Sequence, residues 1–218
     1  MKVLVIAPHP DDEVLGCGGT IARLSRRGDE VHRLIVTDVY EPDWSKAYRS
    51  QKAKEIRAAG KILGIRETVS LGFPTVRLDT VPQKDLNDAF TRVVQEVMPD
   101  LALIPHRGDL NRDHRVVFES ALVALRPGSG HIRRILSYEV PSETEWGSAI
   151  VPFVPDVYSD ITATIGDKLR AMETYRTEAK EPPHPRSAEA LRALARRRGS
   201  EILVPCAEAF SLVREIMD

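Results

Sequence analysis

The chain has 218 residues, 42% of them hydrophobic and 29% charged, enough apolar material for one full core and too little length for a second. A formal net charge of -1 spreads no broad basic field, which argues against a nucleic-acid partner and for a small-molecule substrate. Two cysteines make no disulfide framework, no apolar signal segment precedes the first strand pattern, and no apolar run nears the roughly 18 residues of a membrane span, so a reduced, cytoplasmic single domain over residues 1–218, with no membrane partner, is expected.

Residues 2–7, rich in Val, Leu and Ile, read as a central strand buried on both faces of a parallel sheet. Residues 20–27 suit a helix, with an Arg pair near its end and Gly28 as its stop. A second strand follows over 31–37. Residues 45–63 carry Ala53, Ile56, Ala59, Ile62 and Leu63 at helical spacing, closed by Gly64.

A short strand is predicted over 68–71, a helix over 83–97, a buried strand over 100–104, a helix over 113–125 and a strand over 134–140. The Pro-containing stretch through Pro155 reads as irregular. Helices over 165–176 and 187–198 flank Pro182-Pro183-His184-Pro185. The alternation predicts a Rossmann-like, doubly wound α/β fold, its mostly parallel sheet covered by helices on both faces.

Chemistry concentrates in two places. Pro8-His9-Pro10-Asp11-Asp12-Glu13 follows the first strand and precedes Gly16-Cys17-Gly18-Gly19, while His106-Arg107-Gly108-Asp109-Leu110-Asn111-Arg112-Asp113-His114 follows the strand ending near Ile104. Both clusters leave carboxyl ends of parallel strands, so they can meet at one crevice although about a hundred residues apart. Catalytic zinc takes three protein ligands from imidazoles and carboxylates and keeps one position open, which such a donor set can supply. The glycines fail the dinucleotide fingerprint because Ile21 stands where the third is needed, so they are read as allowing close backbone approach. Cys17 reads as a packing residue and Glu13 as structural, bonding local backbone or a basic neighbour.

The strand followed by His9-Pro10-Asp11-Asp12-Glu13, the following Leu15-Gly16-Cys17-Gly18-Gly19, the helix ending in residues 59–64, the Asp113-His114 pair and the late Ala207-Glu208-Ala209-Phe210 resemble the LmbE-like, PIG-L-type family of zinc-dependent N-deacetylases. The resemblance implies His9, Asp12 and His114 as ligands of zinc or another divalent transition metal. It implies Asp11 as the base that activates a metal-bound water against the acetamide of an amino sugar, N-acetylglucosamine being the typical case. His184 is the candidate extra donor to the developing oxyanion. Asp113 is expected to orient His114 or another site group, or else to serve as an acid at a helix N-terminus. His106 is placed near the site, and Arg49, three residues from Lys52 in an ambiguous register, as a substrate contact. Asn111, where the family commonly has a histidine, can donate and accept hydrogen bonds but carries no charge, so it is placed beside the metal or the substrate without the histidine's proton-transfer role. A metal-dependent hydrolase of another bond and a non-catalytic sugar- or nucleotide-binding module of the same fold remain as alternatives. A symmetric homo-oligomer is compatible with a protein of this size.

Overall fold

The computed structural model describes residues 1–128 and 131–217. Among these residues seven strands form one sheet: β1 (Lys2–Ala7), β2 (Glu30–Asp38), β3 (Glu67–Pro74), β4 (Leu101–Pro105), β5 (Arg134–Tyr138), β6 (Val157–Asp160) and β7 (Ala207–Glu215), in the order β3-β2-β1-β4-β5-β7-β6. The first five run parallel, while β7 lies antiparallel to both β5 and β6. Among the described residues six α-helices accompany them: α1 (Asp12–Arg26), α2 (Lys46–Leu63), α3 (Gln83–Val97), α4 (Arg112–Ala124), α5 (Ile165–Thr174) and α6 (Ala188–Ser200).

Alternation along the buried strands sorts the core into two layers. Val3 and Val5 face α1, α2, α5 and α6 with Ile21, Leu63, Tyr175 and Leu191, whereas Leu4 and Ile6 face α3 and α4 with Phe90, Val94, Val117 and Ala121. The expected doubly wound architecture is therefore present. β1 is paired on one side with β2 and on the other with β4, so the chain departs from β1 in opposite directions. Such a switch in strand order opens a crevice at the carboxyl ends of the two strands.

Local signals explain the helices that were anticipated. Ser45 caps α2 by accepting from Tyr48 N at 3.2 Å, and Gly64 ends it in the left-handed region at φ 71°. Asn111 caps α4, accepting from Asp113 N at 3.0 Å.

The glycine-rich segment departs from expectation, because α1 begins at Asp12 and runs through Gly16, Gly18 and Gly19 rather than starting at residue 20. Tertiary packing overrides weak helix propensity here. A Cβ on Gly16 would stand 2.2 Å from Tyr138 Cδ2, and one on Gly19 2.8 Å from Ile161 Cβ. Cys17, a buried free thiol, breaks the helical dihedrals at φ -142°, ψ 21°. The break is spliced by a buried ion pair from the far end of the chain. Glu208 accepts from Gly19 N at 2.9 Å and Thr20 N at 2.7 Å, while Lys168 donates to Leu15 O at 2.8 Å and to Glu208 at 2.6 Å. These two side chains serve backbone groups left unpaired by the kink. Strands β6 and β7, in stretches for which the sequence pattern gives no element, complete the sheet's antiparallel edge.

Candidate metal centre and catalytic cleft

The turn after β1 and the loop after β4 meet at the crevice. His9 Nδ1, Asp12 Oδ2 and His114 Nε2 form a triangle with sides of 3.2, 3.3 and 3.3 Å. A tetrahedral zinc ion with ligand bonds near 2.0–2.1 Å separates its donors by about 3.3 Å, so the triangle has the dimensions such an ion requires. These residues are the one group of metal-ligating side chains found converging among the described residues.

Each imidazole is oriented from behind by a carboxylate. His9 Nε2 lies 3.0 Å from Asp113 Oδ2, and His114 Nδ1 lies 2.8 Å from Asp109 Oδ2, which leaves the inner nitrogens to face the centre of the triangle. Asp113 thus serves His9 rather than His114, and also accepts from Val76 N at 2.6 Å and Leu78 N at 3.2 Å. Asp109, fully buried, is held in turn by the hydroxyl of Thr144 at 2.5 Å. Asp12 also accepts from His9 N at 2.8 Å, closing the turn on itself.

Electrostatics follow from this arrangement. Burial disfavours charge on His9, but its hydrogen bonds to Asp113 and Asp12 raise its pKa to about 9. His114 is likewise disfavoured as a cation by burial, and Asp12 and Asp109 carry it well above the usual imidazole value. Burial opposes the charge on Asp12, yet the two imidazoles hold its carboxyl far below the ordinary range. Asp11 moves the other way: burial first, then repulsion from Asp12, push it well above the usual carboxylate value against the pull of Arg186.

Asp11 occupies the N-cap position of α1 with φ 120°, a left-handed backbone that costs a non-glycine residue on the order of 1–3 kcal/mol. It forms no side-chain cap. Its carboxylate instead lines the cleft of about 200 Å³ beside the triangle and pairs with Arg186 Nη1 at 3.1 Å.

The remaining predicted residues divide. Asn111 lines this cleft while capping α4. Arg49 turns to Asp38, its Nε 2.7 Å from Oδ2, and lines an adjoining cavity; one turn along α2 Lys52 reaches the cleft and pairs with Glu178 at 2.9 Å. His106 Nε2 lies 3.0 Å from Val151 O and its ring stands edge-on to Phe153, a pin for that loop. His184 does not line the cleft: its Nδ1 accepts from Arg186 N at 3.1 Å, and Arg186 is the side chain this loop sends to Asp11, Glu178 and Glu143. Arg186, Glu178 and the Asp109–Thr144 pair carry no local sequence signal for these roles, because their partners are set by tertiary contact. No described helix is long and apolar enough to cross a membrane.

Comparison with known proteins agrees with the geometry. A family model described as PIG-L, GlcNAc-PI de-N-acetylase, matches residues 4–125, the half that holds all three triangle residues. The chain is 31% identical to an uncharacterized deacetylase, YaiS, of Escherichia coli K12, over 80% of this chain and 90% of that protein. Its structure is similar to that of N,N'-diacetylchitobiose deacetylase from Pyrococcus horikoshii, with TM-score 0.76 and 25% identity, covering 97% of this chain and 83% of the other. It also shares its fold with the 4-carboxy-2-hydroxymuconate hydratase of Pseudomonas putida KT2440, with TM-score 0.79 and 20% identity over 100% and 98% of the two chains. One fold thus carries two reactions, and the reaction here has to be read from the site. By the family match and the YaiS identity, this chain belongs to the PIG-L family of LmbE-like proteins.

Proposed function

We propose that the protein is a metal-dependent N-deacetylase that hydrolyses the acetamide of an amino sugar or amino-sugar conjugate, N-acetylglucosamine being the simplest unit, and releases acetate. The observation that carries this reading is the zinc-sized triangle of His9, Asp12 and His114, with the carboxylate of Asp11, free of any capping bond, in the cleft that His9 and Asp12 also line. Similarity to the chitobiose and YaiS deacetylases supports it.

Zinc or another divalent ion in the triangle would supply Lewis acidity and make water a stronger acid. The chain's own residues do the rest. Asp109 and Asp113 keep both imidazoles turned inward. Asp11 takes a proton from the water as its oxygen bonds to the acetamide carbon, and returns that proton to the nitrogen as the C–N bond breaks. The products are acetate and a free amine. Arg186 holds the carboxylate of Asp11 with Nη1 and, of the two cations lining the cleft, is the one paired with the base and so assigned as donor to the oxygen that gains charge, the part expected of His184.

The test is acetate release by zinc-loaded protein over N-acetylglucosamine, its glycosides, sugar nucleotides and aminoglycoside precursors. Asp11→Asn should keep fold and metal content and lose roughly a hundredfold or more in kcat. Undiminished turnover in that variant, or no acetate from any acetylated sugar, would overturn the reading.

A further inference from the structure

One fully buried ion pair lies beneath the cleft and has no part in the mechanism above. Glu13 is 0% exposed and Arg33, from β2, 1% exposed. Glu13 Oε1 accepts from Arg33 Nη1 at 2.5 Å and from the Tyr175 hydroxyl at 3.2 Å, while its second oxygen, Oε2, accepts from Asp11 N at 3.2 Å. The guanidinium is otherwise satisfied: Nη2 donates to Ile56 O at 2.8 Å and to Thr68 Oγ1 at 3.1 Å. Room for it is left by Gly60, where a Cβ would come within 3.1 Å of Nη2.

At an ordinary N-cap, an aspartate folds its side chain over the first turn and accepts from a backbone N–H there. Asp11 forms no such bond. Its carbonyl still receives Val14 N and Leu15 N, both at 2.9 Å, so it occupies the cap position in backbone terms alone. Glu13 supplies a carboxylate reaching back to the cap residue's own N–H, the bond that a capping box makes from N3, made here from N2. That bond ties down the peptide nitrogen of the one residue in the turn with a left-handed backbone.

We infer that the buried Glu13–Arg33 pair is a positioning device, which holds the Asp11 backbone at positive φ and thereby aims its carboxylate into the cleft. This rests on the deacetylase reading for its catalytic meaning. Its structural content stands apart from that reading. Two side chains from distant elements brace the Glu13 carboxylate in the first turn of α1: Arg33 from β2 and Tyr175 from the position just after α5.

The experiment uses three variants of the full chain, each loaded with zinc and assayed for acetate release from an N-acetylated sugar that the wild type hydrolyses. Crystal structures and metal content are determined alongside. Glu13→Leu/Arg33→Met exchanges the pair for apolar groups of similar size, a replacement that buried pairs commonly tolerate. It should bind zinc at wild-type stoichiometry, lower kcat at least tenfold with KM changed less than twofold, and show Asp11 relaxed from positive φ. Glu13→Gln is isosteric, and its single amide oxygen is claimed by Arg33, leaving an amide donor against Asp11 N; because it removes the charge that compensates buried Arg33, its fold is verified by circular dichroism before kcat is compared. It should lose kcat similarly. Glu13→Gln/Arg33→Met returns that oxygen to Asp11 N and should recover most of the loss.

A merely structural pair predicts equal kcat per zinc-loaded molecule in all three variants and Asp11 at positive φ throughout, and that result overturns the inference. If wild-type protein releases no acetate, the deacetylase reading fails by itself. The Asp11 dihedral in the Leu/Met variant then decides the positioning claim alone, relaxation supporting it and an unchanged positive φ refuting it.

Discussion

At the scale of single residues, the centre is defined by how each donor is denied other partners. His9 and His114 have their outer nitrogens engaged by Asp113 and Asp109, so the inner nitrogens converge on Asp12. Without a metal those imidazoles favour the protonated form, His9 with a pKa of about 9 and His114 raised well above its usual value. A ligand imidazole must be neutral, so at neutral pH metal binding has to displace a proton from these raised imidazoles. Apparent zinc affinity should therefore rise with pH from 6 to 8, by about one decade per unit for each proton displaced. Competition titration against a chelator of known affinity at pH 6, 7 and 8 measures it. An affinity flat across that range would show that the imidazoles are already neutral in the metal-free protein.

The run from His9 to Glu13 was legible at this scale because a histidine and three acids after a buried strand have little structural excuse, and the second cluster showed the same placement. Asp109 was visible within that second cluster, but nothing local shows which acid of a polar loop turns inward. Arg186 was hidden for a similar reason. The loop's histidine drew attention by chemical type, whereas contact with Asp11 is decided by how residues 175–187 cross the cleft.

At the scale of elements, α1 is where sequence pattern and structure part. Three glycines in four positions count against a helix by propensity, yet the segment is helical because two of them abut neighbours closely. Gly16→Ala would gain up to about 1 kcal/mol of helix propensity while driving a methyl into the ring of Tyr138 and toward Glu139 O at 2.9 Å, an overpacking that costs typically 1–3 kcal/mol. Gly166→Ala in α5 meets only Arg170 Nη1 at 3.4 Å, an ordinary contact. Thermal unfolding of both variants should show Gly16→Ala lowered by several degrees and Gly166→Ala unchanged or raised. Equal or greater stability of Gly16→Ala than wild type would show that α1 has slack against β5. Strands β6 and β7 escaped recognition for a different reason. They form the antiparallel edge, where β7 carries Glu208 between buried alanines for the sake of α1, and a charge amid apolar residues blurs the pattern of a strand.

At the scale of the whole molecule, the family match ends at residue 125, but the fold does not divide there. Strand β5 extends the sheet directly from β4, and Tyr138 on it donates to Ile6 O in β1 at 2.7 Å. Helix α5 brings Lys168 to α1, β7 brings Glu208 to the same kink, and the loop before α6 brings Arg186 to Asp11. A chain cut after residue 125 would leave Leu15, Ile21 and Leu63 without Tyr138, Ile161, Tyr175 and Phe210, which share their layer of the core. The proposal that residues 1–218 form one domain therefore predicts one cooperative unfolding transition, with calorimetric and van't Hoff enthalpies in a ratio near 1. It also predicts that a fragment ending at residue 125 lacks fixed tertiary structure, shown by weak near-ultraviolet circular dichroism and poorly dispersed amide resonances. Two resolved transitions in the full chain, or a folded fragment that binds zinc, would mean that the metal centre belongs to an autonomous unit and that Arg186 and Glu178 are later additions to a site already complete.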